Sequence, residues 1–109
     1  DNEDFLRFLD KVRAVGIETP IEAGIMPVMN AKSVRRMAGI CQSRVPEKLE
    51  VMLDKWGGDN AVLKEAGIAY ASEQISDLVA RGVDGVHLYT MNHPCVSRRI
   101  WSNVKPFFV

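Results

Sequence analysis

The chain has 109 residues, 47% of them apolar and 26% charged, with no formal net charge. That length and composition suit at most one ordinary globular domain. Zero net charge gives no electrostatic reason to expect nucleic acid or an anionic membrane surface as partner, and no apolar run is long enough to cross a bilayer. The two cysteines, Cys41 and Cys95, have no metal-ligand or CxxC spacing and read as free thiols, which suggests a reducing, cytoplasmic setting. No signal-peptide pattern is visible. The sequence begins at Asp1 on a helix cap, without a methionine, so a piece of a longer protein is expected.

Residues 1–15 carry Phe5, Phe8, Leu9 and Val12 at helical spacing, one apolar stripe. Asp1 or Asn2 can cap the amino end, Glu3 and Asp4 suit its positive pole, and Gly16 is placed to stop the helix. After a short connector, Ile21, Ala23 and Ile25 alternate with Glu22, Gly24 and Met26, which predicts a strand over about 20–26. Pro27 cannot donate to a ladder and ends it. Gly24 leaves room for another backbone or a flat ligand. A short helix is expected over 31–39, with Val34 and Met37 on one face and Gly39 as its stop. Pro46 suits the first turn of a helix to about Trp56, with Leu49, Met52, Leu53 and Trp56 as its apolar stripe. Asp59 or Asn60 caps a longer helix to about Ala80, which buries Ile68, Ala71, Ile75, Leu78 and Val79 and stops at Gly82.

Val86, Leu88 and Thr90 alternate with His87, Tyr89 and Met91, so a second strand is predicted over about 84–91. Asn92, His93 and Pro94 start a last helix carrying Val96, Ile100 and Trp101, and Pro106 ends it before the tail Phe107-Phe108-Val109. Strands joined through helices are parallel. Two such strands cannot make a closed, independently stable sheet. The fold expected is therefore α/β, with residues 1–109 forming a single partial domain from the carboxyl-terminal portion of a larger barrel or wound sheet.

In such folds function gathers at the carboxyl ends of the strands, here Gly24–Met37 and Tyr89–His93. Those loops can line a pocket for a planar ligand, or simply end strands and cap helices. His87, inside a strand, reads as a core or interface residue. His93 stands just past a strand end and can serve a ligand or cap a helix. Neither histidine has metal-ligand spacing, so no metal is expected. Glu22 points either into a polar interior or into solvent. Lys32, Arg35 and Arg36 form either a solvated helix face or an anion contact. Gly57-Gly58 lacks the rest of a phosphate loop, and no complete catalytic constellation is present in the chain.

Pro20-Ile21 followed by Gly24-Ile25-Met26-Pro27-Val28 resembles the "PI..GIMP" segment of methylenetetrahydrofolate reductases. The resemblance continues at Gly16-Ile17, Arg44-Val45-Pro46 and Ala66-Gly67-Ile68. It ends in Gly85-Val86-His87-Leu88-Tyr89-Thr90-Met91-Asn92, which is similar to the family's "hFYTLN" strand and loop. These segments run in order through essentially the whole chain.

The resemblance implies the carboxyl-terminal part of a (β/α)8 TIM barrel that binds FAD and acts in one-carbon metabolism. The family reduces 5,10-methylenetetrahydrofolate to 5-methyltetrahydrofolate by hydride transfer from reduced FAD, with NAD(P)H the usual donor. It also implies that the general-acid glutamate and most FAD contacts lie in the remainder of the same barrel, outside this chain. A homo-oligomer is left open. Ser33 and Met37 match positions where the family carries a glutamine and an aromatic that pack on folate or nicotinamide. Serine keeps a shorter hydrogen-bonding reach, and methionine packs on a flat ring through sulfur and methyl. His93 stands where an arginine contacts substrate, and its protonated form suits the glutamate tail of folate. Ser33, Met37 and His93 are thus the substrate-binding candidates. The competing readings are a barrel relative with a different electron donor and a non-catalytic interaction module.

Overall fold

The computed structural model describes residues 1–108, so Val109 of the predicted tail lies outside it. The order is α1 (Asn2–Ala14), β1 (Glu22–Ile25), α2 (Ala31–Ile40), α3 (Glu47–Trp56), α4 (Asn60–Ala80), β2 (Gly85–Leu88) and α5 (Pro94–Val104), then a 3₁₀ turn at Lys105–Phe107. Side chains of Asp1, Asn30 and Asp59 accept from the first free amides of α1, α2 and α4, groups that otherwise have no partner in the helix. Gly16 and Gly82 take the left-handed conformation just past α1 and α4, with φ of +84° and +77°.

β1 and β2 pair in parallel, with Ala23 beside Val86 and Ile25 beside Leu88. Both strands are shorter than the 20–26 and 84–91 predicted from alternation. Before β1, the Ile21 amide donates to the Asp84 carboxylate at 2.9 Å instead of to a strand. After it, Pro27 has no amide to give, and the pairing closes on a bond from the Tyr89 amide to the Ile25 carbonyl. Beyond β2, Met91 and Asn92 both turn into positive φ, so an extended strand cannot run through residue 91 as predicted. α2 also differs from expectation. Gly39 stays helical, the helix runs to Ile40, and the reversal falls on Gln42 at φ +53°. Pro46 stands just before α3, with an extended backbone, and not inside its first turn.

One face of the sheet is dry. Ala23 and Ile25 are buried with Ile68, Ala71, Ile75 and Leu78 of α4 and Val96, Ile100 and Val104 of α5, and Val86 and Leu88 pack against the same cluster. A second cluster joins Val28, Ala31, Leu49, Leu53 and Leu63. The long helix α4 contributes to both. Of its predicted face, Ile68, Ala71, Ile75 and Leu78 are buried and Val79 only partly, while Leu63 and Gly67 are buried in addition. The stripe of α1 is shallower than its periodicity suggests. None of its residues is fully buried, and Phe8 is exposed. Of the α3 stripe, Leu49 and Leu53 are buried, whereas Trp56 is exposed.

Polar contacts tie the elements at the rim. The Asn2 amide donates to the Gln74 carbonyl and to the Asp77 carboxylate, and Arg81 pairs with Glu3 and Asp77. The Asn2 hydrogen bond, then Arg81, hold the Asp77 carboxyl below the usual carboxylate range. A depressed carboxyl favours the folded state above its unfolded pKa, and that contribution is lost as pH falls through the folded one. Arg99 of α5 grips Glu65 of α4 through two bonds of 2.7 and 2.6 Å, which lowers the Glu65 carboxyl likewise. These pairs are exposed, so the apolar seams beneath them carry most of the packing energy.

The opposite face of the sheet is open. It carries Glu22, Gly24, His87 and Tyr89, of which all four are exposed. Tyr89 folds back over Gly24, and the His87 ring meets it edge-on at 4.7 Å between centroids. The space that Gly24 leaves is thus taken by a neighbouring side chain.

Two glycines test these contacts in opposite ways. A Cβ on Gly67 would stand 1.8 Å from the Val28 carbonyl oxygen, so α4 or the chain after β1 must shift. Alanine in a helix interior normally stabilises by about 1 kcal/mol over glycine. Here Gly67→Ala should instead destabilise by about 1–3 kcal/mol, as overpacking does. A Cβ on Gly24 would stand 2.9 Å from the outer edge of the exposed Tyr89 ring, which can swing aside. Gly24→Ala should stay within about 1 kcal/mol of the parent. Denaturant titration of both variants checks the contrast, and equal effects would contradict it.

Candidate functional site

Past β1 the chain runs through Pro27 and Val28, both buried, to Asn30 at the head of α2. The Asn30 side-chain oxygen accepts from the Ser33 amide at 3.0 Å, and its amide group faces the Asn60 side chain of α4 at 3.4 Å. This cap fixes the direction in which α2 leaves the sheet. Ser33 and Met37, one helical turn apart, then lie on the same face of α2. β2 ends next to β1, and the turn that follows delivers His93 to the head of α5, where Pro94 takes the first helical position.

These two exits enclose one cleft of about 250 Å³. Ser33, Met37 and His93 all line it, so residues 60 positions apart in sequence share a site at the carboxyl ends of both strands. Met26, Met29 and Met91 complete the apolar walls, together with Pro27 and Val34. Four of the five methionines of the chain therefore meet in one place. Thioethers are polarizable and flexible, and they pack on flat rings through sulfur and methyl. The polar edge consists of the Ser33 hydroxyl, the His93 ring and the Asn30 amide. Such a cleft can hold and orient one planar ring system. It offers no nucleophile paired with a base. Among the described residues no group of three metal-ligating side chains occurs.

The remaining sequence candidates fall elsewhere. Arg35 donates to Glu50 at 3.0 Å and to Asp54 at 2.9 Å, both on α3, and these bonds raise its pKa. Its guanidinium is thus engaged in tying α2 to α3, while Lys32 and Arg36 are exposed. Glu22 and His87 lie on the open sheet face, outside the cleft. A larger hollow of about 640 Å³ lies between α3 and α4, lined by Met52, Trp56 and Tyr70 and remote from the strand ends.

The sequence places Met26 and Met29 within the Gly24–Met37 loop and Met91 within the Tyr89–His93 loop, both possible pocket linings, but singles out none of the three, and alternation assigns Met91 to a strand face. The signal for Met91 was available in Asn92, a residue type that accepts left-handed backbone and marks a turn. For Met26 and Met29 the strand-end position pointed to the right loop, but which of its side chains face the cleft depends on how α2 and the β2 exit meet.

The family described as methylenetetrahydrofolate reductase has a sequence model that matches residues 1–105. The chain belongs to the methylenetetrahydrofolate reductase family. Among its relatives, methylenetetrahydrofolate reductase (NADH) 1 of Arabidopsis thaliana is 38% identical over 92 residues, covering 84% of this chain and 16% of the plant protein. The 5,10-methylenetetrahydrofolate reductases of Pectobacterium carotovorum and Escherichia coli are 35% and 33% identical over 100 residues, 92% of this chain and 34% of each relative. The chain thus spans about a third of its bacterial reductase relatives and a sixth of the plant ones. The Gly67 that admits the Val28 carbonyl lies within the Ala66-Gly67-Ile68 segment that resembles other methylenetetrahydrofolate reductases.

The cap that aims α2 gives a direct test. Asn30→Ala should cost about 1 kcal/mol of stability. It should also speed hydrogen exchange at the Ser33 amide, which loses its acceptor, while the core amides of α4 keep their protection. Unchanged exchange at Ser33 would show that α2 is held in place without this cap.

Proposed function

We propose that this chain is the carboxyl-terminal part of a (β/α)8 barrel that reduces 5,10-methylenetetrahydrofolate to 5-methyltetrahydrofolate, and that its cleft binds the folate ring. The observation that carries this is the meeting of Ser33, Met37 and His93 in one cleft at the carboxyl ends of two parallel strands, in a chain that belongs to the family. Ligands of parallel α/β folds bind at that end. Parallel sheets are normally covered on both faces, and the open face bearing Glu22, Gly24, His87 and Tyr89 supports a place for further strands of the same barrel. The region 1–109 is accordingly read as a single partial domain whose partner is the rest of that barrel.

When bound, FAD supplies the hydride chemistry. The cleft holds room for one planar ring system, so this chain is read as the substrate side, and the flavin is assigned to the remainder of the barrel. Its own residues bind and orient. Met37 packs against the planar ring, the Ser33 hydroxyl donates or accepts one hydrogen bond at its edge, and His93, when protonated, attracts the carboxylates of the glutamate tail. A reduced nicotinamide is the donor in this reading. The Arabidopsis relative carries NADH in its name, which favours that form here.

Two variants of the full-length enzyme test the assignment. Met37→Ala should raise the KM for folate about 2–10-fold, the worth of one sulfur–ring contact, with the flavin content unchanged. His93→Ala should weaken folate binding, with the flavin content again unchanged. NADH should bleach the oxidised flavin under anaerobic conditions. Bleaching by another reductant but not by NADH would instead favour a barrel relative with a different donor.

A further inference from the structure

The hollow between α3 and α4 is walled by Val51, Met52, Trp56, Ala66, Ala69 and Tyr70. Val51 is 63% exposed and Trp56 38%, and a contiguous apolar surface of this kind marks a contact. In the barrel read above, no further helix is left to lie over it. Each helix of such a ring stands between the helix before it and the helix after it. α4 already has both, because α1 meets it through Asn2 and Asp77 and α5 through Arg99 and Glu65. α3 also carries a charge pattern with a symmetry of its own. Its residues 47–55 read Glu-Lys-Leu-Glu-Val-Met-Leu-Asp-Lys, with Val51 at the centre. Four residues before Val51 stands an acid, Glu47, and four after it a base, Lys55. Three before it stands a base, Lys48, and three after it an acid, Asp54. All four charged residues and Val51 are exposed, and helical spacing gathers them within about a third of the helix circumference, with Val51 in the middle.

We propose that this face joins two copies of the protein, with their α3 helices antiparallel about a two-fold axis through Val51. Such an axis brings position 55 of each copy to position 47 of the other, and 54 to 48. Lys55 then meets Glu47 and Asp54 meets Lys48, each contact occurring twice, as a two-fold interface requires. Val51 meets its counterpart on the axis, and the facing copy covers the hollow beside it, where Met52, Trp56 and Tyr70 supply the residue types that interface cores favour. Among the described residues neither Glu47 nor Lys55 forms an ion pair within the chain, so their pairing across the axis displaces nothing. Lys48 holds Glu73, and Asp54 accepts from Arg35. Those pairs are exposed, and sharing them costs little. A partner of another sequence must supply the reversed charge order, whereas a second copy already has it. The face is remote from the folate cleft, so assembly and substrate binding are separate properties.

The test follows the mass of the full-length enzyme by sedimentation velocity over a dilution series. The parent should sediment as a dimer or a larger even-numbered assembly. Val51→Asp sets two carboxylates together on the axis, and Lys55→Glu sets a glutamate against Glu47. Each should weaken the association about 10-fold or more, with flavin content and helical circular dichroism unchanged. Combining Glu47→Lys with Lys55→Glu reverses the pair without destroying it, and should restore the association that Lys55→Glu alone loses. A parent that stays monomeric at every concentration would overturn the proposal. So would parent-like association in Val51→Asp, or a combined variant as weak as Lys55→Glu alone. Dissociation accompanied by lost flavin or lost helix would overturn it too, since these residues would then support the fold. The folate assignment is decided by the Met37→Ala kinetics and not by these masses.

Discussion

The chain after β1 can reach its place only because Gly67 has no side chain. The Val28 carbonyl presses against α4 at that point, closer than any Cβ allows. Val28 is thereby fixed against the long helix, and Pro27 and Asn30 on either side of it are fixed in turn. The Asn30 cap then sets where α2 points, and α2 carries Ser33 and Met37. α4 also joins the two hydrophobic clusters, Leu63 in one and Ile68, Ala71, Ile75 and Leu78 in the other. A single helix therefore positions both the sheet and the loop that builds the cleft.

The sheet divides the chemistry by face. Its dry side is closed by α4 and α5, so Ala23, Ile25, Val86 and Leu88 have no freedom to serve a ligand. The open side carries Glu22, His87 and Tyr89, side chains that a parallel sheet does not normally leave uncovered. The cleft stands apart from both, at the strand ends, where backbone geometry changes and side chains from two loops meet. Its walls are thioethers, with Ser33 and His93 at the edge. A site of this kind orients a ring more than it activates one.

The pattern of apolar residues made most of the fold legible. The helices α1 and α4 begin and end close to their predicted caps, because Asp1, Asp59, Gly16 and Gly82 act within a few residues of the backbone groups they satisfy. The misjudged boundaries share a cause. Alternation in β2 continues through Met91, yet the turn at Met91 and Asn92 withdraws those residues from the ladder. Gly39 reads as a stop, but no left-handed residue is needed until Gln42. The basic triplet Lys32, Arg35 and Arg36 had two readings, and only the presence of Glu50 and Asp54 on α3 engages Arg35 with acidic neighbours.

The sequence by itself determined the elements, their order, the parallel pairing of the strands and the membership of the family, since propensity, capping and periodicity are local and the family segments are contiguous. It also pointed to Ser33, Met37 and His93 through resemblance. What only the tertiary structure decided is that these three meet, that Met26, Met29 and Met91 meet them, and that Tyr89 fills the space above Gly24. Those facts depend on how closely α4 approaches Val28 and on which way the chain turns after each strand. Both are set by contacts between residues dozens of positions apart, which no local pattern encodes.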